Sequence, residues 1–259
     1  MYQEDKYTIE IQKGNPFYNN AEHILKGLAG KPLYQIDAYI EGEVNKFVES
    51  HIAPVLFSDY TANDVPFLQN AGIDLFTRMY GSVDIQFIDI KSAARYYEGK
   101  LNSFVMELGY VTEHTKNPII GWFLREGICT SHYLLLWPKA TPFGNIFKSK
   151  YEKTYHIYGE NDIEYVDFVL VEKKAIHEYI EKHGLTKEYL SGHIYEWTTN
   201  ELSRRQENER LKGTGLEINL SPIETKPVNL KIDKAKYIEL GIQCGRVYNR
   251  HPVKIYSIK

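Results

Sequence analysis

Two runs of strand-forming residues, 72–79 and 84–91, flank Gly81-Ser82, and no other feature of the chain constrains its fold as much. A Gly-X pair between such runs is a two-residue hairpin turn. A tight turn there pairs position n with 163 − n, which sets Asp74, between Ile73 and Leu75, opposite Asp89. Side chains alternate faces along a strand, so Asp89 and Lys91 share a face about 7 Å apart, following Ile85 and Phe87. Charged groups in that position either emerge at the strand's end or are buried at high cost unless paired or metal-bound. Both acids are therefore expected at the open end of the hairpin, converging on one ion. Asp84 has the opposite parity to Asp89 and faces away.

The remaining chain is that of an ordinary α/β protein. Of 259 residues, 43% are hydrophobic and 25% charged, which excludes disordered and fibrous classes. The longest apolar runs, such as 133–137, are too short to cross a bilayer. Residues 1–10 carry Glu4, Asp5 and Glu10 and no apolar core, so no secretory leader is expected. With only Cys129 and Cys244, a disulfide scaffold and a multi-cysteine zinc site are both out, and a reducing cytoplasm is the expected compartment. A net charge of −3 supplies no global basic field for nucleic acid.

Helices are expected at 20–27 and 35–51, the second with Ile36, Ile40, Val44 and Phe47 on one stripe and Pro54 beyond its end. A loop is expected at 58–66, and strands at 103–108, 121–124, 131–137 and 166–171. The last third reads as helical: 172–183 stopped by Gly184, a long charged helix over 186–211 disturbed at Gly192, and a short helix capped by Asp233 and ending at Gly241.

Two carboxylates and a lysine at one point suit metal-dependent phosphodiester hydrolysis. Mg²⁺ prefers hard oxygen ligands and keeps several waters, and a lysine beside it can orient the attacking water or offset charge on the phosphorane. At these residues the chain resembles the PD-(D/E)xK, or restriction-endonuclease-like, nuclease superfamily, and nuclease-like proteins of phages and mobile elements in particular. Ile73-Asp74 matches the first half-motif, with Ile where Pro often stands, and Asp89-Ile90-Lys91 matches the second, 15 positions on. The resemblance runs on through Gln69 to Asp74, Phe104 to Leu108, Gly121-Trp122 and the strand around Tyr133, and is strongest over 35–140. The tripeptide alone is weak: Glu4-Asp5-Lys6, Glu98-Gly99-Lys100, Glu172-Lys173-Lys174 and Glu224-Thr225-Lys226 also match. Only Asp89-Ile90-Lys91 ends an apolar strand paired to an aspartate-bearing one.

The resemblance implies a central mixed sheet flanked by helices, assigned to residues 1–165; residues 166–259 read separately as a mainly helical C-terminal extension packed on that core as one compact unit. The resemblance also implies Mg²⁺ or Mn²⁺ held by Asp74 and Asp89, with the Ile90 carbonyl and Glu107 or Glu43 as further ligands and Lys91 as the catalytic lysine. A helix of this superfamily often supplies an acid, and Glu43 lies on the apolar stripe of the second helix. Gln69, Arg95 and Tyr96 are substrate-contact candidates, although each also has a plain structural use. The RecB-like Gln-x-x-x-Tyr element is missing after Lys91, where Ala94-Arg95-Tyr96-Tyr97 stands. The expected partner is DNA, with no membrane, and many members of the superfamily act as homodimers. A non-catalytic module of the same fold, gripping DNA or a protein, is the alternative reading.

Other signals carry less. Residues 27–32 lack the glycine and hydroxyl spacing of a phosphate loop. His177 and His183 are six apart, wrong for a helical metal pair. No Gly-x-Ser-x-Gly occurs. Cys129 reads as a small apolar residue. Arg204, Arg205, Arg210 and Lys212 alternate with glutamates, as on a solvated helix.

Overall fold

A computed structural model describes residues 7–11, 18–112, 117–148, 153–221 and 226–249. From the N-terminus, β1 (Tyr7–Ile11) precedes α1 (Tyr18–Ala29) and α2 (Leu33–Phe47). A π-helical turn (Val48–Ile52) and α3 (Ala53–Leu56) lead to β2 (Phe57–Ala62), α4 (Pro66–Asn70) and the hairpin of β3 (Leu75–Met79) and β4 (Ile85–Ser92). Next come β5 (Ser103–Tyr110), β6 (Ile119–Ile120), β7 (His132–Ala140), β8 (Gly144–Lys148), β9 (Lys153–Ile157) and β10 (Ile163–Glu172). The C-terminal part adds α5 (Lys173–Lys182), α6 (Lys187–Thr199), α7 (Glu201–Arg210), β11 (Leu216–Leu220), β12 (Val228–Asp233), α8 (Lys234–Leu240) and β13 (Gln243–Tyr248).

Six of these strands form a mixed sheet in the order β13-β10-β7-β4-β3-β2, with β4 and β7 parallel and every other neighbouring pair antiparallel. Strands buried on both faces read as continuous apolar runs, and β7 and β10 do so. Leu134, Leu136, Phe168 and Leu170 enter one core with the Ile36–Ile40–Val44–Phe47 stripe of α2. Tyr133, Leu135, Trp137, Val169 and Val171 enter the other, with Ile176 and Ile180 of α5, Ile194 and Trp197 of α6, and the four-stranded sheet β11-β12-β5-β6. A third sheet, β1-β8-β9, closes over α1. Among the described residues no helix is long and apolar enough to cross a membrane.

The structure departs from the sequence reading in several places. The expected loop at 58–66 is mostly strand β2, whose exposed polar residues hid its ladder to β3. Pro54 does not terminate the helical run, because it sits in the first turn of α3, where a missing N–H costs nothing. The strand expected at 121–124 is a turn after β6, since Gly121 N donates back to Leu108 O. The helix over 186–211 is two helices, broken not at Gly192 but at Asn200, whose Oδ1 caps Leu202 and Ser203 N–H.

The last third contains helices α5–α8 and strands β11–β13, which pair into two of the sheets. The boundary expected at residue 165 falls inside β10, β13 edges the central sheet, and β11–β12 pair with β5. Asp167 on β10, nearly fully buried, is held by Lys234 Nζ at 2.7 Å and by Arg246 Nε at 2.6 Å.

Candidate active site

The hairpin adopts the register the turn dictates: Leu75 faces Ile88, Phe76 faces Phe87 and Arg78 faces Ile85. Asp74 continues the ladder, its N–H donating to Ile88 O at 2.8 Å. Its carboxylate Oδ2 accepts the Ile90 N–H at 2.7 Å and so pins the side chain to β4. Asp89 stands opposite Tyr133 of β7 in the parallel register and is 3% exposed. Lys91 Nζ lies 2.6 Å from Asp89 Oδ1 and 4.9 Å from the centre of the Trp122 ring. Asp74, Asp89 and Lys91 thus come together.

Burial, with the negative charge of Asp74 in the same direction, pushes the Asp89 carboxyl up to about 7, against the opposing pull of Lys91. Gly72, which has φ +76°, lets the Thr130 segment approach the hairpin mouth beside this group. A Cβ there would lie 2.4 Å from Thr130 Oγ1 and 3.6 Å from Asp89 Oδ2. Thr130 Oγ1 in turn donates to Gly72 O at 2.6 Å, joining the strand before β7 to the hairpin mouth.

The other expected residues divide. Glu107 reaches the site: burial raises its carboxyl and Lys91 is the charge that opposes the rise. Glu43 does not. It accepts from Lys46 Nζ at 2.5 Å and from Glu160 N–H at 2.9 Å, so it closes the turn before β10. The acid that α2 directs to this region is Glu41, whose carboxyl is raised by burial and Asp37 and lowered by Lys91 and Arg95, with Asp74 also within electrostatic reach. Gln69 is structural, its Nε2 donating to Asn63 O at 2.8 Å. Arg95 is ion-paired with Asp37, while Tyr96 stays 58% exposed. The Ile90 N–H is taken by the Asp74 carboxylate.

Two participants escaped the sequence reading. Glu41 could have been found from Asp37, four residues earlier, since two acids one turn apart repel unless cations face them. Lys173, at the start of α5, is the second. Its Nζ is half-buried 3.4 Å from Ile128 O, and burial lowers its affinity for a proton while Asp89 raises it. Nothing in the sequence joins it to the hairpin, because the β7–β10 pairing does so.

A cleft of about 370 Å³ opens beside these groups, with Glu41, Glu107, Trp122, Arg95 and Tyr96 in its wall. Among the described residues no three His, Cys, Asp or Glu side chains stand close enough to hold a metal ion together. Two adjacent carboxylates, one of them desolvated, are nonetheless a donor set suited to Mg²⁺, which typically takes one or two protein carboxylates and keeps waters or substrate phosphates as its other ligands. No family model, curated protein or solved structure matches the chain.

Proposed function

We propose that this chain is a divalent-metal-dependent nuclease that hydrolyses DNA phosphodiester bonds, built on a restriction-endonuclease-like core. One observation carries the reading: Asp74 and Asp89 meet at the open end of a hairpin with Lys91 Nζ 2.6 Å from Asp89. The mixed sheet flanked by helices, with an acid delivered from α2, accords with the fold that the Asp74…Asp89-Ile90-Lys91 resemblance implies.

Asp74 and Asp89 would hold Mg²⁺ or Mn²⁺, with the Ile90 carbonyl and Glu41 as further oxygen donors. Such an ion, when bound, polarises the phosphate and lowers the pKa of the attacking water. The protein's own groups do the rest. The Ile90 N–H fixes the Asp74 carboxylate, and Thr130 with Gly72 fixes the strand around Asp89. Trp122, beneath the Lys91 ammonium, shields it on one side. With Asp89 engaged by an ion, Lys91 would be free to donate from Nζ to the attacking water or to the phosphate oxygen gathering charge. Lys173 is a second cation within electrostatic reach of Asp89.

The test is cleavage of duplex and single-stranded DNA with Mg²⁺ or Mn²⁺, with melting temperature as a fold control. Asp89→Ala and Lys91→Ala should each lower the rate by at least about 100-fold, the scale of a lost electrostatic or proton-transfer group. Cleavage at the wild-type rate by either variant overturns the assignment. A melting-temperature rise with Mg²⁺ that vanishes in Asp89→Ala supports it.

A further inference from the structure

We propose that the cleft beside Lys91 is a pocket for one unpaired guanine base, read along its Watson–Crick edge by Glu107 and Asn229. The inference rests on the nuclease reading for its substrate class, DNA, and adds what form of DNA the site takes.

The size comes first. About 370 Å³ accommodates a single base with part of its sugar and is far too small for a base pair within a duplex. Charge comes next. Asp37, Glu41 and Glu107 line the cleft against one cation, Arg95, which is already bound to Asp37. A phosphate is repelled from such a lining, so the backbone stays outside, at Lys91, and the cleft takes a neutral group.

Hydrogen bonding then selects the group. Glu107 on β5 and Asn229 on β12 are direct cross-strand partners and both line the cleft. Asn229 is 6% exposed. Its Nδ2 donates to Pro227 O at 3.2 Å, and its Oδ1 is the acceptor atom of the amide. A carboxylate and an amide oxygen side by side are acceptors, and a ligand that satisfies them must donate twice. Guanine alone among the DNA bases presents two adjacent donors, N1–H and the N2 amino group, on its Watson–Crick edge. Adenine and cytosine set a donor beside an acceptor, and thymine has one donor between two acceptors. Trp122 and the exposed Tyr96 supply aromatic surface for the base plane, as in enzymes that read an extruded base. The edge being read is the one used in pairing, so the guanine must be single-stranded or flipped out.

The test is tryptophan fluorescence in EDTA, where no cleavage occurs. Trp137 and Trp197 are each 1% exposed, so quenching by an oligonucleotide reports Trp122. The probes are a short single-stranded oligothymidylate with one central dG, the same strand with deoxyinosine, which lacks the N2 amino group, the all-thymidine strand, and the dG strand in duplex. The dG strand should bind about tenfold tighter than the inosine strand, the scale of one lost donor at a bidentate contact, and Glu107→Leu should erase that difference. Equal binding of the dG and inosine strands, or duplex binding as tight as single-strand binding, overturns the pocket, and this outcome needs no protein variant. Guanine-dependent quenching by a protein that cleaves no DNA supports the pocket and overturns only the nuclease reading. Cleavage without guanine-dependent quenching overturns the pocket and leaves that reading standing.

Discussion

Asp74 accepts the main-chain N–H of Ile90 through Oδ2 at 2.7 Å, one residue past the position where β3 stops pairing with β4. A side-chain acceptor thus replaces a main-chain one at the hairpin's open end. That substitution holds one acid beside the other, since Ile90 directly follows Asp89. The bond is both structural and part of the proposed chemistry, and the two contributions separate experimentally.

Asp74→Ala leaves the Ile90 N–H without its charged acceptor and should cost about 1.5–3 kcal/mol in urea unfolding. Asp74→Asn keeps an acceptor oxygen and should cost less. Equal unfolding midpoints for wild type and Asp74→Ala would show that the bond contributes nothing to the fold.

Asp89 sets a pH dependence in metal-free protein. Its folded carboxyl titrates near 7, above its ordinary value of 3.8, so between those values the folded state holds a proton that the unfolded chain has released. Its contribution is therefore fully present below about pH 4 and is lost as pH rises through about 7. Wild type should lose stability relative to Asp89→Asn across that window, by an order of a few kcal/mol. Mg²⁺, which needs the ionised carboxylate, should stabilise wild type more at pH 8 than at pH 5. Chemical denaturation across pH, with and without Mg²⁺, measures both; parallel curves for the two proteins contradict the first expectation.

Two glycines of similar conformation separate strain from contact. Gly81 in the hairpin turn has φ +79° and open space around it, so Gly81→Ala should cost about 1–2 kcal/mol, the backbone penalty alone. Gly72, at φ +76°, adds a collision with Thr130 Oγ1 and Ile128 Cγ2. Gly72→Ala should cost a further ~1–3 kcal/mol and weaken Mg²⁺ binding by displacing the strand beside Asp89. Matching losses for the two variants would mean that the Gly72–Thr130 approach is readily relaxed.

Asp167 tests whether the last third is integral. It is 4% exposed between Lys234 and Arg246, with Arg246 also 3.9 Å from the Tyr165 ring centre. Asp167→Ala strands two cations and should cost about 3–5 kcal/mol in a single cooperative transition. Two transitions, with only one shifted, would mark 166–259 as an independent unit.

The hairpin was legible from the sequence because its determinants are local. A two-residue turn fixes the register, alternation fixes the faces, and together they bring Asp74, Asp89 and Lys91 to one point. The α2 stripe and the apolar runs of β7 and β10 were equally plain, since period and burial are properties of a segment. Strand β2 was not, because an edge strand with exposed polar residues lacks an apolar signature and exists only by its ladder to β3. Glu41 and Glu43 show the same division at the site. Helical spacing places Glu43 nearer the apolar stripe, yet the Glu43 carboxylate accepts the Glu160 N–H in the turn before β10, and Glu41 is the α2 acid within electrostatic reach of Lys91 and Asp74. Likewise Asn229 faces Glu107 only because β12 returns to pair with β5 from more than a hundred residues away. What the sequence determined by itself was the pair of acids, because a hairpin is closed by its own neighbours. Which further residues join them was decided by tertiary structure, because those contacts depend on how separate strands and helices share two cores.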